Sequence, residues 1–508
     1  MKAAQAKRNA LTELSQLAFE DTFVRELPAD PEPVNVPRQV ANASYTRVMP
    51  APVAAPRLLG WSAPLAEYLG IGKPAAIEVL AGNRVLPGMQ PYAARYGGHQ
   101  FGTWAGQLGD GRAITLAEVI ATDGSRQELQ LKGAGRTPYS RTADGRAVLR
   151  SSLREFACSE AMHFLGVPTT RALSLVGTGE QVIRDMFYDG RPAPEPGAVV
   201  CRVSPSFVRF GNFQIHAAND ELESLRRLAD YVIQNHFAGH SYASWYHEVC
   251  RRTALLLVDW MRLGFVHGVM NTDNMSILGL AIDYGPYGWL EPYDPQWTPN
   301  TTDEHMRRYC YGNQPQIAQW NLARLAEALL PLIKDKTPLE EGLTLYTDTF
   351  NGAWQRALAQ KLGLAALDRP GDEQLVADLF TLLYEVETDF TLFFRNLAAA
   401  ELDALMPAFY SKVPDGMADW LQRYSARAKD QERRVERMNG ANPKYVFRNY
   451  LAQLAIDALE HGDASVLERL MKVLERPYDE QPGHEDLAAR RPEWARHRAG
   501  CSALSCSS

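Results

Sequence analysis

The stretch that decides the fold is HGVMNTDN at 267–274, followed closely by IDYG at 282–285. The apolar run ILGLAI at 277–282 separates the two motifs, and a short hairpin through it would bring Asn274 close to Asp283. An amide oxygen and a carboxylate are the oxygen ligands that magnesium takes beside phosphate groups. The alternative is an ordinary turn, because Asn, Thr and Asp favour loops through local hydrogen bonds. The second motif favours a phosphate-handling site.

The same stretch departs from a kinase active site at one position. Protein kinases use a catalytic-loop Asp as the proton acceptor, and an Asn and the D-F-G Asp as metal ligands. Aligned with the H-G-D-x-x-x-x-N run of small-molecule kinases, this chain has Val269 where the Asp belongs. Valine cannot accept a proton, so the carboxylate of Asp273 is the candidate base. The replacement indicates unusual chemistry.

A phosphate cradle and a charged pair are predicted upstream, in the order found in kinases. The segment GQLGDGR at 106–112 is typical of a glycine-rich hairpin, whose backbone N–H groups can approach phosphate, or of a plain hairpin. Alternating polar and apolar residues predict a strand over 127–132 that ends at Lys132. Apolar spacing over 146–165 predicts a helix that carries Glu155. A strand Lys paired with a helix Glu orients phosphates in kinases, whereas solvated surface positions are the alternative for both.

Two arginines and a turn add further candidate contacts. Arg202 and Arg209 flank VSPSFV at 203–208, and guanidinium groups can grip phosphate oxygens with two donors. Salt bridges that stabilise the fold are the alternative. The run DGR at 144–146 predicts a turn, with nucleotide contact as a second interpretation.

Taken together, the motifs resemble the selenoprotein O family from about residue 92 to about residue 478. The matching motifs, in chain order, are YGGHQFG at 96–102, QLGDGR at 107–112, LKGAG at 131–135, RVSPS at 202–206, HGVMNTDN at 267–274 and NP at 442–443. The resemblance implies an α+β, protein-kinase-like bilobal fold once classed as a pseudokinase. It also implies transfer of AMP from ATP to Ser, Thr or Tyr hydroxyls of proteins, with ATP inverted so that its α-phosphate is attacked.

The resemblance also implies residue roles and cofactors. Asp273 matches the proton acceptor, Asn274 and Asp283 match the Mg²⁺ ligands, and Lys132 and Glu155 match the strand–helix pair. Some members use UTP with Mn²⁺, so UMP transfer stays open. ATP contact is implied for Gly109, Gly111, Arg112, Lys132, Asp144, Gly145, Arg202, Arg209 and Asp283.

Two rival functions are compatible with these motifs. An ordinary ATP-dependent kinase would share the fold and differ in the phosphorus attacked, but Val269 disfavours it. A catalytically silent, nucleotide-binding pseudokinase scaffold is the second alternative. Such a scaffold has no need of Asp273 beside its metal ligands.

Composition is typical of a globular enzyme. The 508 residues are 46% hydrophobic and 22% charged, with a net charge of −7. The negative charge disfavours a general nucleic-acid binder. No apolar stretch is long enough to span a bilayer, and the first residues lack a signal-peptide core. A cytoplasmic, monomeric protein that acts on protein substrates is expected.

Five regions are predicted along the chain. A proline-rich, extended lead-in covers 1–91, an N-lobe covers 92–215, and a C-lobe with the catalytic loop covers 216–335. A long helical extension covers 336–480 and a polar tail covers 481–508. Helical spacing predicts helices over 316–333, 339–362, 373–397 and 445–470.

The cysteines fall into two groups. Cys158, Cys201, Cys250 and Cys310 show no zinc spacing and are expected to be buried thiols. Cys501 and Cys506 lie in the polar tail GCSALSCSS at 500–508 and are expected to be exposed. The family resemblance implies a redox-active tail, and a bridge from Cys310 to Cys501 or Cys506 is a hypothesis drawn from it.

Overall fold

The computed structural model describes residues 12–72, 76–429 and 431–505 of a mixed α/β protein. Its strands are β1 Phe19–Glu20, β2 Tyr45–Arg47, β3 Arg57–Trp61, β4 Tyr92–Ala94, β5 Gly97–Gln100, β6 Thr103–Gln107, β7 Ala113–Ile120, β8 Arg126–Lys132, β9 Ala147–Val148, β10 Arg171–Arg184, β11 Ala193–Ser204, β12 Phe265–Val266 and β13 Gly288–Trp289.

The helices dominate the chain after the last long strand. They are α1 Thr22–Glu26, α2 Ala63–Tyr68, α3 Ile77–Leu80, α4 Leu149–Phe164, α5 Phe210–Ala218, α6 Leu222–His236, α7 Tyr242–Leu263, α8 Gln314–Ile333, α9 Thr337–Lys361, α10 Asp372–Glu385, α11 Phe390–Asn396, α12 Leu402–Leu405, α13 Met417–Ala428, α14 Arg434–Ala441, α15 Asn449–Glu460 and α16 Ser465–Leu474. Within the described residues, none has the length and hydropathy needed to cross a bilayer.

A large antiparallel sheet forms the first half of the molecule. Its strand order is β2-β4-β7-β8-β11-β10-β3, with β1 paired to β7 and β9 paired to β11. The N-terminal segment predicted as an extended lead-in therefore contributes β1, β2 and β3 to the same sheet. Two small two-stranded sheets, β5-β6 and β12-β13, complete the strand pairing of the described residues.

The faces of the sheet are set by alternation along β8 and β11. Leu129, Leu131 and Val199 pack in the core that faces the N-terminal segment. Val200 packs on the opposite face, in the core that contains Phe156 of α4. Because successive side chains point to opposite faces, polar residues beside these positions are directed toward α4.

The glycine-rich segment at 106–112 differs from its prediction. It was expected to be a hairpin, but β6 pairs with β5 and β7 pairs with β1, β4 and β8. The segment instead connects two sheets. Its backbone follows the preceding chain, since Leu108 N donates to Tyr96 O (2.8 Å) and Asp110 N donates to Ala94 O (2.9 Å).

Two of the four helices predicted from apolar spacing are interrupted. The predicted helix over 373–397 breaks into α10 and α11, because Asp389 caps α11 by accepting a hydrogen bond from Leu392 N (3.0 Å). The predicted helix over 445–470 becomes α15 and α16, separated by a turn with Gly462 at φ +84°. The other two are confirmed, as α8 and α9.

Candidate active site

Strand alternation and one helix assemble the charged centre of the site. Gln130 and Lys132 of β8, and Arg202 of β11, face α4, which carries Glu155. Lys132 Nζ lies 2.7 Å from Glu155 Oε2, and Arg202 Nη1 lies 2.8 Å from Glu155 Oε1. Arg202 also donates to Gln130, its cross-strand neighbour. The structure therefore brings together the strand Lys and the helix Glu that the sequence suggested as a pair.

Asp283 lies at the centre of three cations. Lys132 Nζ is 3.3 Å from Asp283 Oδ1, and the guanidinium groups of Arg202 and Arg209 donate to the same carboxylate. Burial raises the pKa of Asp283, but Arg209, Lys132 and Arg202 outweigh it and hold the pKa well below its usual value. The carboxylate is therefore ionised at neutral pH.

The loop at 267–274 is fixed from several directions. His267 Nε2 lies 2.8 Å from Ile282 O, and Tyr309 Oη donates to Asn271 Oδ1 (2.6 Å). A short 3-10 turn, Thr272–Asn274, places Asp273 and Asn274 at the end of the loop. Asn274 Nδ2 donates to Val269 O (2.9 Å), which leaves its amide oxygen available. The interpretation of this run as a turn and its interpretation as a site are thus compatible.

Asp273 is a buried carboxylate with an incomplete set of partners. It is 7% exposed, and its Oδ1 has no hydrogen-bond partner among the described residues. Gln100 Nε2 lies 3.4 Å from Oδ2. Burial raises the pKa of Asp273 to about 6, although nearby Arg209 opposes the rise. The carboxylate is mostly ionised at pH 7, and its pKa is close enough to that pH for it to accept a proton during the reaction.

A cavity of about 700 Å³ joins these groups. Arg209 does not line this cavity; it lies beneath Asp283, is 1% exposed, and donates to Asp273 O (2.8 Å). The predicted site residues on the wall are Gly109, Gly111, Arg112, Lys132, Asp144, Gly145, Glu155, Arg202, Asp273, Asn274 and Asp283.

Two of the glycines on the wall are required by close packing. A Cβ at Gly109, where φ is +82°, would lie 2.5 Å from the Tyr139 ring. A Cβ at Gly145, where φ is +72°, would lie 2.2 Å from the carbonyl of Gly135. Asp144 pairs with Arg184 (2.7 Å) and accepts from Arg146 N (2.9 Å), as the predicted turn requires. These contacts shape this part of the cavity wall.

The oxygen ligands suit a divalent cation only together with phosphate. No group of three or more His, Cys, Asp or Glu side chains in the described parts of the chain is arranged to hold a metal. Asp283 and Asn274 provide one ionised carboxylate and one amide oxygen on the same cavity wall. Magnesium is usually held by one or two carboxylates plus substrate phosphates, so this donor set fits that ion.

Sequence reasoning missed two glutamines in the site. Gln130 holds Arg202, and it lies two residues before Lys132 on the same face of β8, so strand alternation could have found it. Gln100 contacts Asp273 across the fold. Its motif was recognised, but no local pattern connects it with a residue so distant in sequence.

The C-terminal tail docks beside the site. Leu504 N donates to Pro299 O (2.9 Å), and Arg154, the neighbour of Glu155, donates to Gly500 O (2.8 Å). The expectation of an exposed thiol at Cys501 is wrong, because it is 2% exposed. Cys501 and Cys310 are both buried free thiols, so the structure does not contain a bridge between them. Cys506 lies outside the described residues, and its pairing stays a hypothesis.

Comparisons with known proteins agree on one family. Residues 35–475 match the family model described as "Protein adenylyltransferase SelO". The chain is 61% identical to the protein nucleotidyltransferase YdiU of Nitrosospira multiformis, over 98% of both chains. It is 55% identical to the protein of the same name from Rhodopirellula baltica, over 97% of this chain and 99% of the relative. The relative from Aromatoleum aromaticum is 56% identical over 97% of this chain and its own full length.

Proposed function

The chain belongs to the protein adenylyltransferase SelO family, and from this premise we propose that it transfers AMP from ATP to Ser, Thr or Tyr hydroxyls of proteins, with release of pyrophosphate. The observation that carries the proposal is the position of Asp273, a buried carboxylate on the wall of the cavity that also holds Lys132 and Asp283, with Oδ1 unpartnered among the described residues. Burial raises its pKa to about 6. Val269, on the same wall, stands where a kinase has its catalytic Asp. The proposed base, Asp273, therefore reaches the acceptor hydroxyl from a different position.

The finer fold assignment is part of the proposal. Residues 92–215 would form the N-lobe and 216–335 the C-lobe of a kinase-like bilobal fold, followed by the helical extension at 336–480 and the tail at 481–508. The Lys132–Glu155 contact between sheet and helix supports this assignment. ATP would lie inverted in the cavity, so that its α-phosphate faces Asp273. A cytoplasmic location and a monomeric state stay predictions from the sequence.

The proposed roles follow from charge and position. Lys132 and Arg202 bind triphosphate oxygens, and Glu155 keeps both side chains in place. Asn274 and Asp283 would hold Mg²⁺ or Mn²⁺. When bound, the ion neutralises the triphosphate charge. Arg112, Gly109, Gly111, Asp144 and Gly145 shape the nucleotide pocket. Arg209 supports Asp283 and Asp273 from beneath.

Asp273 performs the proton transfer. The acceptor hydroxyl loses its proton to Asp273 Oδ2, since Oδ1 is covered by Gly98. The hydroxyl oxygen forms a bond to the α-phosphorus as the bond to pyrophosphate breaks. Donors already directed at the triphosphate stabilise the charge on the leaving group. No covalent intermediate with the protein is required.

The test compares label position. The purified protein is incubated with cell extract, Mg²⁺ or Mn²⁺, and ATP labelled on either the α- or the γ-phosphate; α-labelled UTP tests UMP transfer. Protein labelling only from the α-position supports nucleotidyl transfer. Labelling only from the γ-position would indicate a kinase, and no labelling from any nucleotide would indicate a silent nucleotide-binding scaffold. Asp273→Asn is the matched variant that should lose labelling.

A further inference from the structure

A group of arginine and aromatic side chains lies beside the candidate base, on the outer side of the β5–β6 hairpin. We name it the arginine–aromatic face and define it by Phe101, Trp104, Arg308, Trp320 and Arg324. Phe101 stands at the tip of the hairpin, with φ +49° and 36% of its surface exposed. The other four side chains are half-buried. Aromatic and arginine side chains of this kind are enriched at the centres of protein–protein contacts.

Ring contacts hold this face together. The guanidinium carbon of Arg308 lies 4.7 Å from the centre of the Trp320 ring, and that of Arg324 lies 5.0 Å from the same ring. His99 links the hairpin to these rings, with its own ring centre 5.1 Å from Trp104 and 5.5 Å from Trp320. Such stacking orders the side chains before any partner binds, which lowers the entropic cost of binding.

Arg308 forms no ion pair at salt-bridge distance within the described residues, although the Asp303 carboxylate, which accepts from Arg308 N (3.0 Å), lies close enough to feel its charge. Arg324 forms an ion pair with Glu327 (2.8 Å), whereas Arg308 forms none. Arg308 Nε is also buried without a hydrogen-bond partner in the described structure. A guanidinium that is ordered by stacking, half-buried and without a carboxylate at ion-pair distance in the described structure is suited to bind one from another molecule.

The hairpin separates this face from the nucleotide cavity. Gln100 lies on the cavity wall and contacts Asp273, while none of the five residues of the face lines that cavity. The next residue, Phe101, turns outward and donates from its backbone N to Tyr309 Oη (2.9 Å). A Cβ at Gly102 would lie 3.3 Å from the Arg308 guanidinium carbon. Arg308 is therefore placed for the acceptor side of the reaction rather than for ATP.

We propose that the arginine–aromatic face binds the polypeptide around the acceptor hydroxyl, and that Arg308 selects acceptors with an Asp or Glu close to the modified residue. The inference rests on the proposed function, since it names the class of protein substrate. The net charge of the chain is −7, so an acidic peptide is repelled by the molecule as a whole and attracted near Arg308. This difference between the net charge and the local charge would orient acidic acceptors and select them over others.

The experiment maps modified sites in cell extract. Wild-type protein and Arg308→Glu are each incubated with extract and ATP, and AMP-bearing peptides are identified by mass spectrometry. For the wild type, Asp and Glu are expected near the modified hydroxyls more often than near unmodified hydroxyls of the same proteins. Arg308→Glu should lose this enrichment and favour Lys and Arg. The matched control, Arg476→Glu, reverses an exposed Arg elsewhere on the surface (64% side-chain exposure) and should keep the wild-type pattern.

A peptide series quantifies the effect. One mapped site is synthesised with its acidic neighbour kept, changed to Gln or changed to Lys. For the wild type, kcat/KM should be about tenfold lower with the Lys peptide than with the acidic peptide, mainly because KM rises. For Arg308→Gln, the values for the two peptides should differ much less. The KM for ATP should not change. Equal use of the three peptides, an acidic preference that survives in Arg308→Glu, or a changed KM for ATP would overturn the inference. Absence of AMP on any extract protein with the wild type would instead contradict the proposed function.

Discussion

Gly98 and Asp273 are in direct contact: a Cβ added to Gly98 would lie 2.5 Å from Asp273 Oδ1 and 2.9 Å from Asp273 Cβ. The β5–β6 hairpin thus covers one oxygen of the candidate base with backbone alone. Gly98 lacks the positive φ that would itself require glycine. Its missing side chain is explained by the space that the carboxylate occupies.

Gly98→Ala should therefore displace Asp273 without disturbing the proposed phosphate contacts of Lys132 and Arg202. A shift of the base by about 1 Å is expected to lower AMP transfer about a hundredfold. ATP binding, measured by calorimetry, should stay close to wild type, because Glu155 of α4 positions Lys132 and Arg202. The control is Gly440→Ala, where an added Cβ meets no described heavy atom within 4 Å and φ is not positive. Equal transfer by both variants would show that the contact does not position the base.

The pKa of Asp273 predicts how transfer depends on pH. Burial raises this pKa to about 6, and the base must be ionised to accept a proton. Transfer should be fully present above pH 7, and kcat/KM should fall about tenfold per pH unit below pH 6. Asp273→Asn should lose transfer at every pH while it retains ATP binding. A wild-type profile that stays flat down to pH 5 would contradict the role of Asp273 as base.

The local parts of the site could be predicted from sequence because each lies within one strand, helix or loop. Alternation predicted Lys132 at a strand end, helical spacing predicted Glu155 on a helix, and the motif itself contains Asp273 next to Asn274. The contacts among these elements depend on the sheet order, which local periodicity does not encode. Gln100 and Gly98 meet Asp273 only because a separate two-stranded hairpin folds across the loop.

The extension illustrates a different limit. Apolar spacing runs without interruption through 373–397, so it predicts a single helix. Asp389 ends that helix by capping the next one and by pairing with Arg448, a residue 59 positions away. A buried ion pair between distant segments overrides local helical periodicity, and a single sequence gives no sign of it.

This ion pair predicts a large effect on stability. Arg448 Nη1 and Nη2 lie 2.6 and 2.9 Å from the two oxygens of Asp389, and both side chains are at most 1% exposed. Arg448→Met would leave a buried carboxylate unpaired, at a cost of about 3–5 kcal/mol in the free energy of unfolding. Thermal and urea unfolding measure the change. The exposed pair of Arg433 with Glu436 provides the control, and Arg433→Met should leave the unfolding midpoint unchanged. The double variant Arg448→Met, Asp389→Leu should recover part of the loss, whereas equal midpoints for Arg448→Met and wild type would exclude a stabilising role.

Docking of the tail predicts the reactivity of Cys501. Burial raises the pKa of its thiol to about 11, and Leu504, which is fully buried, anchors the tail against Pro299 and Thr301. Because the thiolate is the reactive form, Cys501 in the native protein should react with iodoacetamide much more slowly than an exposed thiol. Leu504→Asp should release the tail, because a charge cannot be buried there without a partner, and should speed alkylation of Cys501 at least tenfold. Peptide mass spectrometry follows that residue alone. Ser502→Asp changes a half-buried neighbour and is the control; if Cys501 reacts rapidly in the wild type, the tail is not docked in solution.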